Sequence, residues 1–117
     1  MKERRTQRSD DPIKAAEMYL NAAAERRDYR ALALADSNGR MVARSATSLD
    51  ANALAAVAPY AHETPETDQG LLGLITRGDA FRVWDVDVHG HPHYLAAVGG
   101  SEHPPSELER TLRRILN

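Results

Sequence analysis

The chain has no cysteine among its 117 residues. Without thiols it can form no disulfide framework, no thiolate nucleophile and no cysteine-ligated zinc site, and the usual sequence sign of an oxidising compartment is missing. It also has no apolar run long enough to span a membrane and no signal-peptide pattern. We therefore expect a cytoplasmic protein that does not enter a membrane.

Aromatic side chains and excess charge are scarce as well. The chain has one Phe, one Trp and four Tyr, and 15 basic residues nearly balance 17 acidic ones, leaving a formal net charge of -2. Such a balance provides no electrostatic footprint for nucleic acid. Because the apolar content is mainly Ala, Leu and Val, close packing of small side chains should matter more than aromatic anchors, as in a tight helix-on-sheet layer.

The chain divides into a polar start and one domain. Residues 1–11 are basic and almost free of apolar side chains, which predicts a flexible tail, and residues 12–117 have the length of a single domain. Asp11 suits a helix N-cap and Pro12 the first helical position, so we expect a helix over residues 12–27.

A β-hairpin is predicted next. The segment YRALALAD alternates leucines and alanines with the period of a strand, which gives one all-alanine face that a helix could approach closely: Leu32 and Leu34 against Ala31, Ala33 and Ala35. Asn38-Gly39 supplies residues that tolerate the positive φ of a tight turn, and Met41 to Arg44 resume as the partner strand.

A second helix is expected over about residues 49–62. The hydroxyl-x-x-acid spacing from Thr47 to Asp50 resembles a capping box, and an apolar stripe follows at helical spacing: Leu54, Val57, Ala58 and Ala61. Pro59 lacks an N–H, so the last turn should bend or loosen.

The second half of the sequence is richer in strands. The run LLGLIT, at residues 71–76, is too short for its periodicity to separate a strand from a helical segment, and Arg77-Gly78-Asp79 looks like a turn. AFRVWDVDV and HYLAAVGG have high β-propensity. A capping-box match from Ser106 to Glu109 then precedes a final helix with an apolar stripe.

Three histidines between these strands have two interpretations. His89, His91 and His93 would share one face of a straight strand and could bind zinc, copper or nickel. Gly90 and Pro92 favour a reversal instead, with a loop over residues 89–92 that places Val88 opposite His93 and Val86 opposite Leu95. In such a turn the imidazoles splay apart, so we predict no metal site.

No other pattern indicates catalysis. Asp85 and Asp87 could form a general acid and base pair, but carboxylates at i and i+2 are more typical of a solvated strand face. Phosphate-cradling loops, HExxH helices and nucleophile motifs are missing. We therefore expect no catalytic, cofactor-binding or metal-binding residues.

The order of the elements resembles the roadblock family of dynein light-chain-like domains. The resemblance is carried by ALALADSNGRMVARSA, by the Ala-rich helix LDANALAAVAPYA, and by VDVHGHPHYLAAVGG followed by LERTLRRIL. It implies an α+β fold, an α/β/α sandwich around a five-stranded antiparallel sheet, with the second helix on one face and the first and last helices on the other.

The resemblance also implies a function. Roadblock domains form homodimers or heterodimers through the second helix and an adjacent sheet edge, which would place Leu54, Val57, Ala58 and Ala61 in a dimer interface. In bacteria and archaea they are commonly linked to small Ras-like GTPases as regulators or scaffolds, so the expected partners are a second copy, another roadblock protein or such a GTPase. Arg77 is the one loop arginine we would consider as a catalytic finger.

The sequence is also compatible with a second class of function. PAS, GAF and profilin-like domains share much of this sheet topology, and a PAS or GAF sensor would enclose a small molecule between the sheet and a covering helix. Such pockets need room and larger apolar lining residues, whereas the alanine-rich strands predict close contact.

Overall fold

The chain forms four helices and four strands in the residues that can be described. The computed structural model describes residues 11–63 and 69–116. The elements in chain order are α1 (Pro12–Arg27), β1 (Tyr29–Asp36), β2 (Met41–Arg44), α2 (Ala51–Glu63), α3 (Gln69–Thr76), β3 (Phe81–Val88), β4 (His91–Gly99) and α4 (Leu108–Ile115). Apart from residue 11, the predicted tail lies outside the described residues.

The strands form one antiparallel sheet in the order β2-β1-β4-β3. The α+β class agrees with the prediction, but the predicted fifth strand is wrong for the described residues, because residues 71–76 belong to helix α3. Two residues with left-handed backbone, Arg77 (φ 55°) and Gly78 (φ 86°), end that helix before β3 begins. The N–H of Gly78 bonds the carbonyl of Gly73 at 3.0 Å, as in a helix C-terminal turn.

Helices pack on both faces of the sheet. On one face α1 and α4 cover the leucines of β1 together with Val86, Val88 and Leu95. On the other face α2 packs on the alanines of β1 and on Ala96 and Val98 of β4. The alternation of YRALALAD therefore sorts its leucines and alanines to opposite faces, as predicted.

The β1–β2 hairpin is confirmed. Its strands pair with Leu34 opposite Ala43, and Gly39 (φ 82°) takes the left-handed position in the loop. The N–H of Asp36 bonds the carbonyl of Arg40 at 2.9 Å. Gly39 also packs on α2, because a Cβ placed there would lie 3.0 Å from the carbonyl oxygen of Ala56.

The β3–β4 hairpin is real, but its predicted register is wrong by two residues. Val86 lies opposite His93, and Asp87 opposite Pro92. His89 (φ 52°) and Gly90 (φ 82°) both adopt left-handed backbone, so they alone form a tight two-residue turn. The sequence prediction placed Pro92 in the loop because proline has no N–H to donate. In the structure Pro92 pairs within β4, but β1 ends opposite His93, so no β1 carbonyl lies where that N–H would bond.

The helix starts agree in part with the capping patterns. Asp11 accepts a hydrogen bond from the N–H of Lys14 at 3.0 Å, which confirms the first N-cap. At α2 the capping acceptor is Asp50, bonded to the N–H of Ala53 at 3.1 Å, whereas the predicted capping residue Thr47 bonds only Leu49. At α4 the N-cap residue Glu107 makes no side-chain capping bond. No helix in the described part of the chain is long and apolar enough to cross a bilayer.

Candidate interaction surface

The four residues predicted for a dimer interface divide between two sides of α2. Leu54 and Ala58 are 0% exposed and belong to the core under the helix. Val57 and Ala61 are half-buried and lie toward the outer side. Only these last two are placed where a second molecule could touch them, while Leu54 and Ala58 hold the helix on the sheet.

The outer side of α2 carries an aromatic residue that the sequence pattern did not single out. Tyr60 is 65% exposed, one helical turn after Val57 and Ala56. Its neighbour α3 carries Leu74, which is 78% exposed, while the adjacent Ile75 packs against the α2 core. Large apolar side chains exposed near each other are typical of contact surfaces.

Strand β3 lies at an edge of the sheet, with no further strand beside it among the described residues. The N–H of Asp87 donates to Glu109 Oε2 at 2.8 Å, so it points away from β4. Antiparallel pairing alternates the direction of successive backbone groups. The N–H and C=O groups of Phe81, Val83 and Asp85 therefore face the open edge, where another strand could pair with them.

The open edge and the outer side of α2 meet at one point. His62, near the end of α2, has its Nε2 3.9 Å from Asp85 Oδ1 and its ring centroid 5.1 Å from that of Tyr94. Asp85 is the more exposed member of the pair, with a side chain 80% accessible. The two features thus form one surface, which we call the α2–β3 surface: Val57, Tyr60, Ala61, Phe81, Val83 and Asp85.

The histidines at the tip of the β3–β4 hairpin have separate roles. His89 Nε2 lies 2.7 Å from the carbonyl oxygen of Arg113, which joins the tip to the end of α4. His93 Nδ1 lies 3.0 Å from the carbonyl of His91. Within residues 11–63 and 69–116 no three His, Asp or Glu side chains converge as metal ligands. The tip is built for packing on α4.

The remaining candidates are engaged locally. Asp87 Oδ2 accepts a hydrogen bond from the N–H of Gly90 at 3.3 Å, so this carboxylate supports the turn. Arg77 extends toward the carbonyl of Ser48, 3.5 Å from its Nη2. Asp79 pairs with Arg30 at 3.0 Å, which ties the turn before β3 to β1. These contacts give the Arg-Gly-Asp sequence a structural role in the turn.

The fold and its surface define a class: an antiparallel α+β domain with helices on both faces, an open strand edge and an apolar helix beside it. No protein-family profile matches the sequence, and no curated protein matches it. Solved structures of MglB, a roadblock/longin-like protein, do match at the level of fold.

Three such structures set the extent of the likeness. MglB of Myxococcus xanthus is 15% identical, with a TM-score of 0.50 over 89% of this chain and 86% of that one. An MglB with a tetrameric arrangement is 16% identical, with a TM-score of 0.55 over 89% of each chain. The gliding protein MglB from Thermus thermophilus is 19% identical, with a TM-score of 0.51 over 89% of this chain and 90% of that one. The fold is that of the roadblock/longin-like structures, and the predicted resemblance is confirmed at that level.

Proposed function

We propose that this chain is a non-enzymatic, homodimeric adaptor or regulator of roadblock type, whose partner is a small Ras-like GTPase or another roadblock protein. The observation that carries the proposal is the α2–β3 surface, in which an unpaired strand edge lies beside an exposed apolar helix on a roadblock-like fold. One of the similar structures is an MglB in a tetrameric arrangement, so self-association occurs among proteins of this fold.

A second copy of the chain could pair with the β3 edge in a register centred on Val83. Two-fold symmetric pairing centred on Val83 places Phe81 opposite Asp85 of the second copy and sets the two valines side by side. Pairing centred on Asp85 would place two carboxylates opposite each other, which is unfavourable. It would also reach Asp87, whose N–H is already occupied by Glu109. Of these two registers, the Val83-centred one fits better.

Helix α2 contributes the apolar part of the proposed contact. Val57 and Ala61, two of the four residues predicted for the interface, are half-buried. Tyr60, which lies beside them, is 65% exposed. Aromatic side chains of this kind are enriched among the residues that dominate interface energies. Leu54 and Ala58 act beneath the contact, because they fix the height of α2 above the sheet.

Light scattering over a range of concentrations tests self-association. The chain has a mass of 12.9 kDa, and we expect about twice that mass at micromolar concentration, because edge pairing and α2 burial act together. A strict monomer at high micromolar concentration would remove the homodimer.

The GTPase part of the proposal has its own test. Pull-down with small Ras-like GTPases from the same genome, loaded with GDP or with a GTP analogue, should recover one of them in at least one nucleotide state. We propose that Arg77 donates no catalytic guanidinium, because its side chain extends toward the carbonyl of Ser48. Arg77→Ala should therefore leave the GTP hydrolysis rate of the complex unchanged. Recovery of no GTPase in either state would remove this partner and leave the dimer intact.

A further inference from the structure

A second surface lies on the opposite side of the sheet, between α1 and α4. The two helices leave a groove of about 820 Å³ between them. Its lining brings together residues far apart in sequence: Tyr19, Ala22, Arg26, Arg27, Glu107, Thr111 and Arg114. Three guanidinium groups and two hydroxyl groups therefore face one groove that has a single carboxylate.

The carboxylate is held inside the groove. Tyr19 donates its hydroxyl hydrogen to Glu107 Oε2 at 3.2 Å, and Arg26 Nη2 lies 3.7 Å from the same oxygen. Burial, reinforced by the charge of Glu107, raises the pKa of Tyr19 to about 12, so this hydroxyl stays a donor at neutral pH. The pKa of Glu107 is lowered, first by a backbone hydrogen bond and then by Tyr19 and Arg26, so the side chain is ionised there.

The other two arginines of the groove have no acidic partner among the described residues. Arg27 and Arg114 form no ion pair with any described acidic residue, whereas Arg113, in the same helical turn as Arg114, pairs with Glu109 at 3.6 Å outside the groove. Arginines in a last helical turn also interact with the helix dipole. The helix dipole does not explain why Arg27 and Arg114 face the same groove as the Glu107 carboxylate.

We propose that the α1–α4 groove is a docking site for an acidic segment of a protein partner, whose carboxylates bind Arg27 and Arg114 beside the position that Glu107 occupies. The guanidinium group matches a carboxylate through paired N–H donors. Its lining residues are spread along both helices, from Tyr19 to Arg27 and from Glu107 to Arg114, which suits an extended segment. Because it lies on the face opposite α2, it can be filled while the α2–β3 surface is in use, and the proposal does not depend on the proposed dimer.

Titration of the full-length chain with a hexaglutamate peptide, followed by amide and arginine side-chain NMR signals, tests this site. We expect shifts concentrated in the last turn of α1 and along α4. Replacing both unpaired arginines, as Arg27→Gln with Arg114→Gln, should weaken binding about tenfold, as expected for two exposed charge pairs. The matched control Arg44→Gln removes an exposed arginine on β2, outside the groove, and should change the affinity less than about twofold.

A third variant distinguishes peptide binding in the α1–α4 groove from general charge attraction. Glu107→Gln keeps an acceptor for the Tyr19 hydroxyl and removes the internal competing charge, so it should tighten peptide binding about threefold. Circular dichroism of every variant checks that the fold is kept. The proposal is overturned if Arg44→Gln weakens binding as much as the double variant, or if Glu107→Gln leaves the affinity unchanged. It is also overturned if inorganic phosphate or pyrophosphate shifts the same signals at lower concentration than the peptide.

Discussion

The two faces of the sheet are packed in different ways. The face under α1 and α4 is filled by branched side chains, among them Leu32, Leu34 and Leu95, all at 0% exposure. The face under α2 is filled mainly by alanines of β1 and β4. Small side chains bring the helix close but bury less apolar area per residue. The leucine face therefore supplies more of the folding free energy, while α2 keeps an apolar side chain, Tyr60, exposed on its outer side.

The outer side of α2 is where that difference has a functional consequence. Tyr60 and the half-buried Val57 lie away from the core, and the outer edge of the neighbouring strand β3 faces no other strand among the described residues. Because α2 buries little apolar area against the sheet, burying its outer side against a partner can stabilise it further.

Removing a leucine from the α1–α4 side should have the largest effect on stability. Leu95→Ala should lower the free energy of unfolding by about 3 kcal/mol, because it leaves a cavity in a fully buried site. Urea unfolding measures the change. The matched control Leu74→Ala, at a site 78% exposed, should cost less than about 0.5 kcal/mol. Equal losses for the two variants would contradict the assignment of the core.

Enlarging an alanine under α2 should also destabilise the fold. Ala33 is 0% exposed in the α2 cluster, so Ala33→Leu forces the helix away from the sheet and should cost about 2 kcal/mol. The same enlargement at exposed Ala46 is the control and should be nearly neutral in urea unfolding. A stable Ala33→Leu variant with unchanged self-association would mean that close approach of α2 is unimportant.

Shortening the exposed tyrosine should affect association and leave the monomer intact. Tyr60→Ala should weaken the dimer about tenfold, since truncating an interface aromatic typically costs more than about 1 kcal/mol. Sedimentation equilibrium gives the dissociation constant. Met18→Ala, at a site 58% exposed on α1, is the control on the other face and should leave dimerisation unchanged. Equal weakening by both variants would place the contact elsewhere.

The stability of the C-terminal end of β3 should depend on Glu109. Glu109→Ala removes the acceptor of the Asp87 N–H, but water can replace it at this exposed position, so the loss of stability should be about 0.5 kcal/mol. Hydrogen exchange should then be faster at the Asp87 amide. Glu102→Ala, at another exposed glutamate, should change neither quantity. Unchanged exchange at Asp87 would argue against the bond.

The smallest effect concerns pH. Because the folded-state pKa of Glu107 lies below its ordinary value of 4.5, its ionised form stabilises the fold above pH 4.5, and this stabilisation is lost as the pH falls through the folded-state pKa. Glu107→Gln should therefore be slightly less stable than the natural chain at about pH 7, and this difference should narrow as the pH is lowered to about 3. Urea unfolding at the two pH values measures the difference, and a gap that persists in acid would contradict this account.

Local patterns in the sequence predicted much of the fold. The Leu–Ala alternation in β1, the Asn38-Gly39 turn and the Asp11 cap each depend on residues close together in the chain. The failures occurred where local signals conflicted or were too short. The periodicity of LLGLIT could not decide between a strand and a helix. His89 adopts a left-handed backbone conformation that its residue type does not predict.

The candidate surfaces were harder to predict than the fold. The sequence marked the α2 stripe, but it could not separate Leu54 and Ala58, which face inward, from Val57 and Ala61, because one stripe can serve a core or an interface. The α1–α4 groove was missed, because its arginines and Glu107 meet only after α1 and α4 pack side by side. Glu109 was taken for part of a capping box, although it accepts from the backbone of β3.

A single cysteine at the centre of the proposed edge pairing tests whether two copies of the chain pair through β3. The natural chain has no cysteine, so any cross-link comes from the introduced residue. In the Val83-centred register the two Val83 Cα atoms would be about 5.5 Å apart, within disulfide reach, whereas the two Asp85 Cα atoms would be about 13 Å apart. Under mild oxidation Val83→Cys should form a disulfide-linked dimer and Asp85→Cys should not. Equal cross-linking of the two variants, or none for Val83→Cys, would contradict the account.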